Sequence, residues 1–160
     1  MKLLRSNVVH RARTAQVLYG RVEDIWGYVS RPRHLEHLCP PWMKMQIQNQ
    51  QEFDQIHLGL QIRYKIRAMP FFPIEVTDMV DQKSFVYRQR VGPYTYWRHF
   101  VELRETEQEG AVELIDEYEN PMPFGPIGEA AHALFVGRLL SDIREYRRDR
   151  LAELFAKPLQ

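Results

Sequence analysis

Cysteine is nearly absent from this chain: Cys39 stands alone, so no disulfide can form within it and burial has to hold the fold. That usage fits a reducing compartment. The first residues carry Lys2, Arg5, His10 and Arg11 and never build the apolar core of a signal peptide, so the expected location is the cytoplasm. No run approaches the ~20 apolar residues of a membrane-spanning helix, which argues against integral membrane association. Charge of one sign is lacking too. A net charge of +1 leaves no excess of cations to release counterions from phosphates, so no nucleic-acid partner is expected. There is no Gly-rich nucleotide loop and no nucleophile spaced recognisably from a base, and no cofactor is expected. His34, His37 and Cys39 lie close together, but their spacing is not a zinc pattern, so no metal is assigned to them. With no repeats or low-complexity stretches, residues 1–160 are expected to form one domain that buries roughly two thirds of its unfolded surface. Nothing in the sequence sets an oligomeric state.

What the chain does have is a long C-terminal helix, expected from Pro126 to Phe155. Pro126 suits a first helical turn, Glu129 sits near the positive end of the macrodipole, and Arg138, Arg144, Arg147, Arg148 and Arg150 crowd the negative half. Roughly 29 residues at ~1.5 Å each give a rod of about 43 Å. Ile127, Ala131, Phe135, Leu139, Ile143, Arg147, Leu151 and Phe155 recur at every fourth position, and Arg147 alone among them is not apolar. A four-residue step overruns the ~3.6-residue turn by about 40°, so the stripe spirals, which suits a helix wrapped by a curved sheet. A helix bent at Gly137 with two separate faces is the alternative.

The chain before it supplies that sheet. His10 to Leu18 reads as a first strand with Ala15 and Val17 inward. Val22 to Val29 has helical spacing, and a second short helix is expected to end near Leu38, before Pro40 and Pro41 forbid its continuation. Alternating segments follow, as in antiparallel strands with one buried face. Met45 and Ile47 face inward in the first, then Ile62, Tyr64, Ile66 and Ala68, then Phe72, Ile74 and Val76, then Phe85, Tyr87 and Gln89, with a turn at Gly92-Pro93. If Glu107 to Gly110 is the last hairpin loop, Arg104 faces Glu113 and Arg98 faces Glu119 outside, while Leu103 faces Leu114, Val101 faces Asp116 and His99 faces Tyr118 inside. A one-residue slip would undo both sets. The order is strand, two short helices, about six strands and a long helix: an α+β architecture with a curved antiparallel sheet around the C-terminal helix.

Pro40-Pro41-Trp42, Gly92-Pro93-Tyr94 with Trp97-Arg98-His99, Asp116, the run Pro123-Phe124-Gly125-Pro126-Ile127-Gly128, and Tyr146-Arg147 occur in an order that resembles the bacterial ligand-binding branch of the START and birch-pollen-allergen superfamily, which includes polyketide cyclases and coenzyme-Q-binding proteins. The resemblance runs from about Val8 to Leu154. It implies the helix-grip fold and a hydrophobic pocket between helix and sheet. Two departures remove ionisable groups from that pocket: Val101 stands where relatives often carry a second histidine, and Tyr87 where they often carry aspartate. Both favour binding over catalysis.

The expected partner is therefore a small hydrophobic ligand, aromatic, polyketide-like or isoprenoid, held by a carrier or sensor. Candidate ligand-binding residues are Tyr64, Ile66, Phe72, Tyr87, Gln89, Trp97, His99, Asp116, Tyr118, Ala131 and Leu134. An inward aspartate is costly unless paired, so Asp116 should bond to His99, Arg147 or a tyrosine hydroxyl. Such a pair could fix the sheet against the helix, or His99 could act as a base oriented by Asp116 in a cyclase or dehydratase acting on a polyketide-like substrate. A third reading is a ligand-free interaction module that uses a basic outer face built from Arg63, Lys65, Arg67, Arg88 and Arg90.

Overall fold

The computed structural model describes residues 9–67, 72–89, 97–121, 130 and 137–158. Strand β1 (Val9–Tyr19) leads into helix α1 (Val22–Val29) and a single 3-10 turn (Pro32–Leu35). Strands β2 (Met45–Ile47), β3 (Gln61–Ile66), β4 (Phe72–Val80), β5 (Ser84–Gln89), β6 (Trp97–Glu105) and β7 (Ala111–Pro121) follow, and helix α2 (Gly137–Leu154) comes last. All seven strands make one antiparallel sheet in the order β1-β7-β6-β5-β4-β3-β2, so the first strand closes against the last and the chain then meanders outward to β2.

The inner face of this sheet is apolar where the alternation predicted it. Ile62, Ile74, Val76, Phe85, Tyr87, Val101, Leu103 and Leu114 are all buried. The hairpin from β6 to β7 has the predicted register throughout: Arg98 opposite Glu119, His99 opposite Tyr118, Val101 opposite Asp116, Leu103 opposite Leu114 and Arg104 opposite Glu113. Gly110 closes its loop at φ +70°, a conformation that a residue with a Cβ adopts only under strain. The sheet curves in part through a bulge in β4, where the pairing with β5 shifts between Val76 and Asp78.

Helix α2 crosses the concave side. Leu151 is fully buried in the same core cluster as Leu18, Phe85, Leu103 and Leu114, and the chain leaving the helix is tied down where the Tyr19 N–H donates to the Phe155 carbonyl at 2.9 Å. Helix α1 covers the same end with Ile25, Trp26 and Val29, and Trp26 meets Phe85 edge-on at 5.6 Å. The start of the long helix at Pro126, its bend at Gly137, the inward Ala68 and the Gly92-Pro93 turn rest on residues outside those described.

Two expectations need correction. In β1, Ala15 and Val17 face solvent while Ala12, Thr14, Gln16 and Leu18 face in. Arg11 and Arg13 share the parity of Ala15 and Val17, and their ion pairs with Glu119 and Glu117, each 3.2 Å, lie on the outer face; two arginines outweigh one alanine and one valine in choosing the wet side. The second short helix is one 3-10 turn followed by turn residues, since Pro32 starts it and Pro40 ends it within too few residues for an α-helix to establish itself. Across the last hairpin the charges oppose one another as predicted, yet Arg104 bonds Glu102 two residues back on its own strand at 2.8 Å, and Glu119 takes Arg11 from β1.

The outer basic stripe is also broken up. Arg63 pairs with Glu52 at 2.8 Å, Arg88 lies opposite Glu75, and Arg67 leaves the stripe at the end of β3, where φ is +48°.

Candidate functional site: a cavity between helix and sheet

A cavity of about 500 Å³ separates the first turns of α2 from the sheet. Alternation along the strands decides what lines it. Tyr64 and Ile66 come from β3, Tyr87 and Gln89 from β5, Trp97 and His99 from β6, and Tyr118 from β7, so seven of the predicted residues converge on one space. Asp116 lies behind this wall, one inward position deeper, where it holds the residues that do line it. The side chain of Phe72, and Ala131 and Leu134, lie outside the described residues.

Other lining residues were not singled out from sequence. Leu35, Leu38, Cys39, Trp42 and Met43 arrive on the connection between α1 and β2, which carries no periodicity to announce a face. Asn120 was readable, because it continues the parity of Asp116 and Tyr118. Arg144 was readable from its place one turn before Arg147 on α2.

The floor of the cavity is a buried polar network. His99 Nε2 donates to Asp116 Oδ1 at 2.7 Å, and Arg147 Nε donates to both Asp116 oxygens at 3.2 Å. All three residues are at most 5% exposed. The one polar break in the helix stripe thus meets the one inward carboxylate of β7. Burial by itself would raise the Asp116 carboxyl, but the Arg147 charge and the His99 hydrogen bond overcome it and hold the pKa at about 2. Burial acts the other way on His99, lowering it against the pull of Asp116, and Arg147 adds to the lowering. The imidazole is therefore neutral at neutral pH. Because Asp116 is ionised and can only accept, the Nε2 of His99 carries the proton and Nδ1 the lone pair. The His99 ring stacks on Tyr118 at 4.1 Å and 12°, which fixes its plane.

Two further groups are set by burial. The Tyr87 phenol is raised above its ordinary value, so it stays a donor, and among the described residues its hydroxyl has no hydrogen-bond partner. The Cys39 thiol is pushed up to about 11, which leaves almost no thiolate to act as a nucleophile. His34 stacks on Tyr28 at 4.0 Å and bonds its carbonyl, an arrangement that uses the ring for packing. Among the described residues no three His, Cys, Asp or Glu side chains gather as a metal site, and no helix is long and apolar enough to cross a membrane.

Solved structures share this fold. A protein from Chromobacterium violaceum matches with a TM-score of 0.67 at 14% identity over 93% of this chain and 99% of that one. The fold is the helix-grip fold. A point mutant of norcoclaurine synthase from Thalictrum flavum, in complex with a transition-state analogue, shares this helix-grip fold at a TM-score of 0.60 and 14% identity, covering 92% of this chain and 97% of that chain. A protein from Nitrosospira multiformis matches at 0.64 and 11% identity, over 92% and 97% of the two chains. No family model and no curated protein sequence matches the chain.

Proposed function

We propose that this protein binds a small, largely apolar molecule in the cavity between α2 and the sheet, as a carrier or sensor. The observation that carries the reading is the cavity itself: about 500 Å³, walled by side chains such as Trp97, Tyr64, Ile66, Met45 and Ile143. Soluble proteins keep such space open at a cost in packing, and its size falls in the range of drug-sized ligand sites, ~300–1,000 Å³. The same openness counts against the interaction-module reading, which calls for a cavity filled by side chains. An aromatic or isoprenoid-like body fits walls of this chemistry.

A second reading, turnover of a polyketide-like substrate with His99 as base, is favoured by the 2.7 Å His99–Asp116 bond and by the presence of a synthase among helix-grip structures. Binding without chemistry is the stronger of the two. A useful base at neutral pH has to accept a proton readily, whereas burial and Arg147 both oppose a charge on His99.

The test is to titrate quinones, flavonoids and fatty acids while following tryptophan fluorescence and thermal unfolding. A ligand at ~100 times its dissociation constant should stabilise the protein by about 2.7 kcal/mol. Ile143→Trp, which fills the cavity from the helix side, should abolish the effect while the fold persists. No shift with any compound would sink the reading, and product that forms in the parent but not in His99→Gln would move the enzyme reading ahead.

A further inference from the structure

The charges on the cavity wall are of one sign. Arg67, Arg144 and Arg147 line it, and among the described residues no aspartate or glutamate does. The three arginines are not equivalent. Arg147 is spent on Asp116. Arg67 is fixed at the rim, where its Nε donates to the Trp42 carbonyl at 2.8 Å and its guanidinium lies 5.8 Å from the Trp42 ring centre, so its position is set while no carboxylate among the described residues pairs with it. Arg144 is half-buried one turn before Arg147, and no carboxylate among the described residues pairs with it. Its level on the sheet can be read from the strand: Arg147 sits over Asp116, so one turn back along α2 brings Arg144 toward Asn120, which lines the same cavity. A partly buried guanidinium facing an apolar space is costly to leave without an anion.

An independent observation lies deeper. Tyr87 is 1% exposed, lines the cavity, and its hydroxyl meets no acceptor among the described residues. Gln89, two residues along the same strand face, is buried and lines the cavity beside it. Buried donors in proteins almost always have a partner, so a buried phenol left without one among the described residues, on a side chain that lines the cavity, marks a place for an oxygen that those residues do not supply. A purely hydrocarbon occupant would leave both the phenol and Arg144 unsatisfied.

We propose that the ligand is an amphipathic organic acid: an apolar body carrying one carboxylate that pairs with Arg144 toward the mouth, and a further oxygen that accepts from the Tyr87 hydroxyl inside. This rests on the ligand-binding reading above and narrows it to a chemical class. Arg67 and Trp42 form the rim that the carboxylate passes on entry. Arg147 stays with Asp116 and takes no part in recognition.

The experiment uses matched pairs, so that the class of ligand and the existence of a ligand site are judged separately. Aryl-propenoic acids, naphthoic acids and medium-chain fatty acids are each titrated beside their own methyl ester at neutral pH, with tryptophan quenching and thermal shift as readouts. A charge-assisted pair at a half-buried arginine should make the acid bind at least about tenfold more tightly than its ester. Arg144→Gln should remove most of that preference by weakening the acid alone. Tyr87→Phe should weaken acid and ester alike wherever the compound carries a second oxygen, and should leave a simple alkanoic acid unchanged. Esters that bind as well as or better than their acids would overturn this proposal and leave the cavity reading standing, as would an acid preference that survives Arg144→Gln. Failure of every acid and every ester to bind would overturn both.

Discussion

The two ends of the space between α2 and the sheet are made from the same strands and the same helix, yet one is packed solid and the other is hollow. Toward Leu18 and Val112 the inner face meets Leu151, Ile25, Val29 and Phe85, all at most 3% exposed. Toward Gln89, Trp97 and Asn120 the helix offers Leu139, Leu140 and Ile143 across a gap, and Leu139 is 38% exposed. The boundary is the row of the sheet that holds Phe85, Val101 and Asp116, with Arg147 reaching down to it. On one side of that row the helix is close enough for apolar side chains to interlock. On the other it is held off, and the small α1 covers only the closed end. A buried ion pair is seldom worth much as net stability against an apolar replacement, but it fixes one geometry. Here it fixes the rotation of α2 about its axis and hence which residues face the hollow.

Removing the boundary should have the largest effect. Asp116→Ala leaves the Arg147 guanidinium and the His99 N–H buried without an acceptor, and should lower the unfolding free energy by about 3–5 kcal/mol in urea titrations. Asp116→Asn keeps one acceptor and should lose less. If the alanine variant unfolds at the urea concentration of the parent, the two ends are not divided by this network.

Next in size is the contrast between the ends themselves. Leu151→Ala, in the packed end, should cost about 2–5 kcal/mol, because the fully buried site cannot collapse around the missing atoms. Leu139→Ala, at the hollow end, should change stability by less than ~0.5 kcal/mol while altering ligand affinity. Equal costs for the two leucines would mean that the ends are packed alike.

The sequence made the hollow end legible in part. Period-two alternation placed Tyr64, Tyr87, Trp97, His99 and Tyr118 on one face, and the opposed charges of the last hairpin fixed its register, so the walls contributed by the sheet were readable residue by residue. The four-residue helix stripe, with Arg147 as its one polar member, gave the partner of Asp116 as one of three choices. What escaped was carried by segments without a period. Trp42, Met43 and Leu38 lie on turns where no spacing tells inside from outside, and Arg67 changes face because a left-handed backbone ends its strand. In β1 the pattern was present but misjudged, since Val17 and Ala15 were weighed without Arg11 and Arg13 at the same parity. Short apolar residues decide less about the face of a strand than the charges that share it.

The finest test of the divided interior is its response to acid, which reads the network without removing it. His99 has an ordinary value of 6.5 and is lowered by burial in the fold, so its neutral form belongs to the native state. Stability from this source is whole above ~6.5 and is lost as the pH falls toward the lower folded value, at up to about 1.4 kcal/mol for each pH unit between the two. Asp116 falls from 3.8 when free to about 2 in the fold; its contribution is whole above ~4 and is lost only as the pH drops toward 2. The parent should therefore lose stability in two stages, a first beginning near neutrality and a second below pH ~4. His99→Gln keeps a donor for Asp116 but cannot take up a proton, so it should flatten the first stage and leave the second in place. His34, also lowered by burial, titrates in both proteins and cancels from the difference. Parallel curves for parent and variant between neutrality and pH ~5 would show that the imidazole is not held neutral by its surroundings, and the argument for recognition over base catalysis would lose its support.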